Sequence, residues 1–136
     1  MVDRTLLAAR IATVRDATAR AILPPSQDAF LADRTAREVV VLNLFLAIQS
    51  CLDLAAHWLA DEGWDVPGSY ADIFEALADH GVIERQLARR LASASGFRNL
   101  VAHQYVVLDW RRVYAIASAD PEDLEAFCAV LAAKAP

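Results

Sequence analysis

Apolar residues recur every three or four positions along nearly all of the chain, and that rhythm breaks only at a few proline, glycine and short polar sites. Over residues 2–22, Leu7, Ile11 and Val14 share one side of a helix, with Arg10, Arg15 and Arg20 more exposed. Pro24-Pro25 ends it. A second, unusually long helix is predicted to start near Ser26 to Asp28, where short polar residues can cap, and to reach about Asp61, with Gly63 just beyond as a stop signal. Residues 63–68 form a loop, after which Ser69 with Asp72 reads as a capping-box start for a helix that runs through Ala78 and ends at Gly81. Leu87, Leu91, Ala94, Leu100 and Val101 supply the buried stripe of a fourth helix. A short helix over residues 109–118 follows, and Asp120 before Pro121 opens a last one through Leu131. The pattern therefore predicts an all-α, up-and-down bundle of five or six helices, whose short connections favour antiparallel neighbours.

The second helix is apolar around most of its circumference, more than a lone bundle of this size covers, which predicts a homodimer formed through helices. Asn43, Gln49, Ser50, Asp53 and His57 interrupt its apolar region, making it too polar for a bilayer span of about 20 apolar residues. It is read as a core helix, and no membrane partner is expected. Asn43, Ser50, Asp53 and His57 fall within an arc of roughly 80° at 100° per residue. Such a stripe either lines a cleft or forms the helix's solvent face.

Composition narrows the rest. With 136 residues and 57% hydrophobic side chains, the whole chain 1–136 is expected to form one ordered domain. A net charge of -5 counts against a broad basic surface for nucleic acid, so any RNA contact must be local. All the basic residues except Lys134 are arginine, but they are spread along the chain. Cys51 and Cys128 lie in apolar helical patterns without CxxC spacing and with no recognisable secretory leader before them, which predicts reduced thiols in a cytoplasm.

One stretch carries candidate chemistry: Arg98-Asn99-Leu100-Val101-Ala102-His103-Gln104-Tyr105. Histidine exchanges a proton near neutral pH. Arginine presents a rigid, permanently charged fork that matches phosphate oxygens, and tyrosine adds a hydroxyl. On a continuous helix Arg98 and Tyr105 lie within about 20° of each other, whereas His103 points about 140° away from Arg98. The three converge only if the helix ends or distorts near His103, or if a second copy completes the site. Ser95-Gly96, just before the stretch, is a place where the backbone can kink or approach a neighbour closely.

The stretch resembles the Rx4HxY signature of the HEPN superfamily, and the chain as a whole resembles its HepT toxin branch. The likeness extends to residues 40–44, 47–49 and 53–57, the Pro67-Gly68-Ser69-Tyr70 loop and Gly96-Phe97-Arg98-Asn99. It implies a HEPN-like helical fold and a homodimeric endoribonuclease that needs no metal and no cofactor. Arg98 and His103 are then the catalytic pair, with Asn99, Asp53 and His57 as supporting or RNA-binding residues. The resemblance also implies an MntA-like nucleotidyltransferase antitoxin that silences the toxin by transferring AMP to Tyr105. Two other classes stay open: a noncatalytic helical subunit that binds nucleotide or substrate for a partner nucleotidyltransferase, and a plain dimeric scaffold. For Asp53 and His57 a metal site is the weaker reading, since no third ligand is placed beside them.

Overall fold

Short polar side chains set nearly every helix start in the computed structural model, which describes residues 2–135. Asp3 accepts from the Leu6 N–H at the head of α1 (Arg4–Arg20), Ser26 from Ala29 at α2 (Gln27–Ala32), and Asp33 from Ala36 at α3 (Arg34–Asp61). Ser69 accepts from Asp72 at α4 (Tyr70–Asp79), and Asp109 from Arg111 and Arg112 at α6 (Trp110–Lys134). Each such cap is worth about 1 kcal/mol. Only α5 (Arg85–Gln104) starts without a side-chain cap, behind Glu84. Gly63 and Gly81 adopt φ of 75° and 72°, and the left-handed turn they permit closes α3 and α4.

The described residues form an all-α bundle of six α-helices. α3 is its central element, packing against α1, α2, α4, α5 and α6, and it buries Leu44, Ile48, Cys51, Ala55 and Leu59 completely. By length and composition α3 is apolar enough to cross a membrane, yet half of its most apolar window is covered by the other helices. α2 is anchored by Phe30, whose fully buried ring meets Trp110 at 6.4 Å and Tyr114 at 5.5 Å.

Three local expectations need correction. The long second helix is two helices, because Asp33 leaves the helical region (φ -114°, ψ 97°) to cap α3. Conversely, residues 110–134 form one helix with Pro121 inside it. The buried stripe Val113, Ala117, Leu124, Phe127, Cys128 and Leu131 runs unbroken across the proline, so packing overrides the local stop signal. Ser95-Gly96 neither breaks α5 nor makes a close approach: the helix continues through it, and a Cβ on Gly96 would meet nothing within 4 Å.

Candidate functional site

Packing of α5 against α3 carries the Arg98 side chain across to Gln49. Its Nε–H donates to Gln49 Oε1 at 2.7 Å, and the Gln49 amide donates in turn to Asp53 Oδ1 at 3.0 Å. Arginine can only donate and an ionised carboxylate can only accept, so the amide between them has one possible orientation. Arg98 Nη1 donates to Asn99 Oδ1 at 3.2 Å. The guanidinium carbon also sits 4.7 Å from the centre of the Tyr70 ring and 5.2 Å from that of Phe45. Two aromatic faces and two oxygens thus hold the fork, while Nη2 has no partner among the described residues. A fixed cation with free N–H groups is what a phosphate oxygen requires.

His103 occupies the last turn of α5, exposed and without a hydrogen bond among the described residues. The helix stays regular to Gln104, so His103 and Arg98 of one copy point in different directions, about 140° apart. At Gln104 the backbone leaves the helix (φ -137°, ψ 34°), and Tyr105–Val107 form a 3-10 turn. Tyr105 is 42% exposed and rests edge-on against Trp110, ring centres 6.0 Å apart. Its hydroxyl is presented at the end of α5 rather than folded into the core.

Of the supporting residues, Asn99 and Asp53 join Arg98, the second through Gln49. His57 does not: its Nε2 lies 3.2 Å from Arg10 Nη2 of α1, beside a small cavity between α1 and α3. Asn43 bonds back to the Val39 carbonyl of its own helix. Sequence reasoning gave no role to Gln49, Phe45 or Tyr70, although all three secure the arginine. A Gln–Asp pair four apart was the available signal, but such pairs are common on helix surfaces.

The outward face of α3 changes character along its length. Val39, Leu42 and Leu46 are about half exposed, at 45%, 56% and 44%. Gln49 and Asp53 continue within roughly 60° of that line. Beside the apolar half lies a groove of about 400 Å³ lined by Val41, Leu42, Phe45, Val101, Ala102 and Tyr105, with Glu38 at its edge. Val106 and Val107, 96% and 72% exposed, project from the 3-10 turn next to it. Arg98 therefore borders a largely apolar surface.

Two buried groups outside this region are perturbed. Burial, with the Asp123 charge, pushes the Asp120 carboxyl up to about 6, and its Oδ2 has no hydrogen-bond partner. Hydrogen-bonded to the free Cys128 thiol and fully buried, the Cys51 thiol has its pKa raised well above the ordinary value.

The fold and the cradled arginine define a class, helical bundles that present a phosphate-matching cation and a proton-exchanging imidazole at one helix end. A family model described as Ribonuclease HepT-like matches residues 14–131. The mRNA nuclease HepT of Shewanella oneidensis is 31% identical over 105 residues, covering 77% of this chain and 79% of that protein. This chain belongs to the HepT-like ribonuclease family. Among solved structures, the tri-AMPylated Shewanella oneidensis HEPN toxin in complex with MNT antitoxin superposes with a TM-score of 0.86 at 30% identity, over 98% of this chain and 100% of that one. A toxin–antitoxin structure with AMP-PNP superposes with a TM-score of 0.82 at 29% identity, over 96% and 98% of the two chains.

Proposed function

We propose that the protein is an endoribonuclease toxin that cleaves RNA as a homodimer in the cytoplasm and is silenced by AMP transfer to Tyr105 from a nucleotidyltransferase antitoxin. The observation that carries this reading is the Arg98 fork, fixed by Gln49, Asn99, Tyr70 and Phe45 with Nη2 left free, at the edge of an uncovered apolar face.

Cleavage follows from attack of a ribose 2'-hydroxyl on the adjacent phosphorus. A base takes the hydroxyl proton, the new P–O bond forms, and the bond to the 5'-oxygen breaks as that oxygen receives a proton. The products are a 2',3'-cyclic phosphate and a free 5'-hydroxyl. One imidazole per copy, turned away from its own guanidinium, does not supply both proton transfers. Twofold pairing over the α3 face brings a second His103 and a second Arg98 to the same groove. The guanidinium groups then stabilise charge growing on the phosphorane oxygens, which requires no metal.

AMP on Tyr105 adds a phosphodiester anion and a nucleoside beside this groove, competing with RNA phosphate for Arg98. That accords with the AMP carried by the Shewanella toxin in its antitoxin complex.

Purified protein incubated with RNA and a metal chelator tests the reading. Wild type is expected to leave cyclic-phosphate ends, with losses of about 10² to 10⁴ in rate for Arg98→Ala and His103→Ala. Equal cleavage by all three proteins, or none by wild type, contradicts it.

A further inference from the structure

On the other flank of α5, a separate pocket of about 230 Å³ lies between the end of that helix and the start of α6. Buried Phe97, Leu108 and Val113 line it together with Leu100 and Ile116, and exposed Val107, Asp109 and Arg112 complete the lining. By helical position Leu100 is only about 60° from His103, so the pocket opens on the imidazole side of the motif and away from the Gln49 clamp.

Arg15, Arg20, Arg34, Arg85 and Arg90 sit in ion pairs, whereas the Arg112 side chain, like those of Arg4, Arg89 and Arg111, has no partner among the described residues; of these four, Arg112 is the one that lines this pocket. It stands in the first turn of α6, where the helix dipole disfavours a cation and the Asp109 carboxylate at the N-cap offsets that dipole. Asp109 Oδ1 is occupied by the capping bonds to the backbone of Arg111 and Arg112. A groove apolar within, with an unpaired cation at its rim, fits one flat ring system with an attached phosphate. The Asp109 carboxylate adds an acceptor that the exocyclic amine of a base can use and an isolated phosphate cannot.

We propose that this pocket binds one nucleotide, its base against Phe97, Leu100 and Ile116 and its phosphate on Arg112. Taking that nucleotide from the RNA strand next to the scissile bond rests on the ribonuclease reading above; tyrosine-linked AMP is the other source of the same chemistry. Arg112 is then a substrate-binding residue that helps choose where the strand is cut.

The test uses full-length His103→Ala protein, which holds RNA without cutting it, with and without Arg112→Ala. A short fluorescent oligoribonucleotide is titrated at several salt concentrations, and 5'-AMP is titrated with NMR detection. Arg112→Ala is expected to weaken both ligands about tenfold and to reduce the salt slope for RNA by about 0.7, with 5'-AMP shifting the resonances of Leu100 and Ile116 before the change. Unchanged affinities and slope overturn the pocket while leaving the ribonuclease reading, which stands on cleavage, intact. If wild type cuts no RNA, the 5'-AMP titration alone decides. Protein AMP-modified on Tyr105 separates the two sources: retained 5'-AMP binding assigns the pocket to the RNA strand and lost binding to linked AMP, and either result upholds a nucleotide site.

Discussion

Gln49 Oε1 accepts the Arg98 Nε–H at 2.7 Å, and this single bond between α3 and α5 sets the direction in which the guanidinium faces. Gln49 is a positioning residue, itself fixed by Asp53. Gln49→Leu keeps the volume and removes the acceptor. Cleavage is expected to fall about 10- to 100-fold with an unchanged melting temperature, because a misplaced group close to 1 Å out of line costs about 10² in rate. Cleavage equal to wild type in a rate assay would show that Arg98 needs no guide.

Val106 is almost fully exposed beside the groove between α3 and α5. Val106→Asp leaves the isolated fold untouched but places an unpaired carboxylate in the proposed dimer contact, a cost of several kcal/mol. The dimer is expected to weaken at least about 100-fold. Analytical ultracentrifugation reads this directly, and a Val106→Asp protein that sediments as wild type removes this surface from the interface.

The carboxyl of Asp120 titrates near 6 in the folded chain, against 3.8 ordinarily, chiefly because it is buried. The folded state holds that proton more tightly than the unfolded one, so the group's contribution is fully present below about pH 4 and lost as pH rises through 6. Asp120→Asn removes the penalty. Discounted for partial exposure, the gain at pH 7.5 is about 1–2 kcal/mol and vanishes at pH 4. Thermal melts across that range check it; an Asn variant no more stable at pH 7.5 contradicts the burial argument.

Tyr105 is the acceptor expected for AMP. Coexpression with a cognate nucleotidyltransferase and ATP should add one or more AMP units to the wild-type mass and none to Tyr105→Phe, while ending RNA cleavage. An AMP adduct on the phenylalanine variant would place the acceptor elsewhere.

Helix content, the Ser26 and Ser69 caps, the stops at Pro24-Pro25, Gly63 and Gly81, and the Arg98–His103–Tyr105 stretch were legible in the sequence because each depends on near neighbours. What escaped depends on contacts between distant segments. Asp120-Pro121 reads locally as a helix start, yet the apolar stripe on both sides of it keeps α6 whole. Asp33 opens the mostly polar run Asp33-Arg34-Thr35-Ala36-Arg37-Glu38, where no proline or glycine marks a stop, and the docking of Phe30 against Trp110 and Tyr114 accompanies the break there. Asp53 and His57 share a helix face in projection, but α5 meets the first through Gln49 and α1 meets the second through Arg10. The resemblance located the motif arginine and spanned Gln49, but it gave that glutamine no part in aiming the guanidinium.

The decisive measurement is the cleavage rate of mixed dimers containing one wild-type copy and one His103→Ala copy, isolated with two different affinity tags. A groove that needs an imidazole from each copy predicts a mixed dimer almost as inactive as the double variant. Half the wild-type rate would mean that each chain cuts RNA alone, and would contradict a shared site.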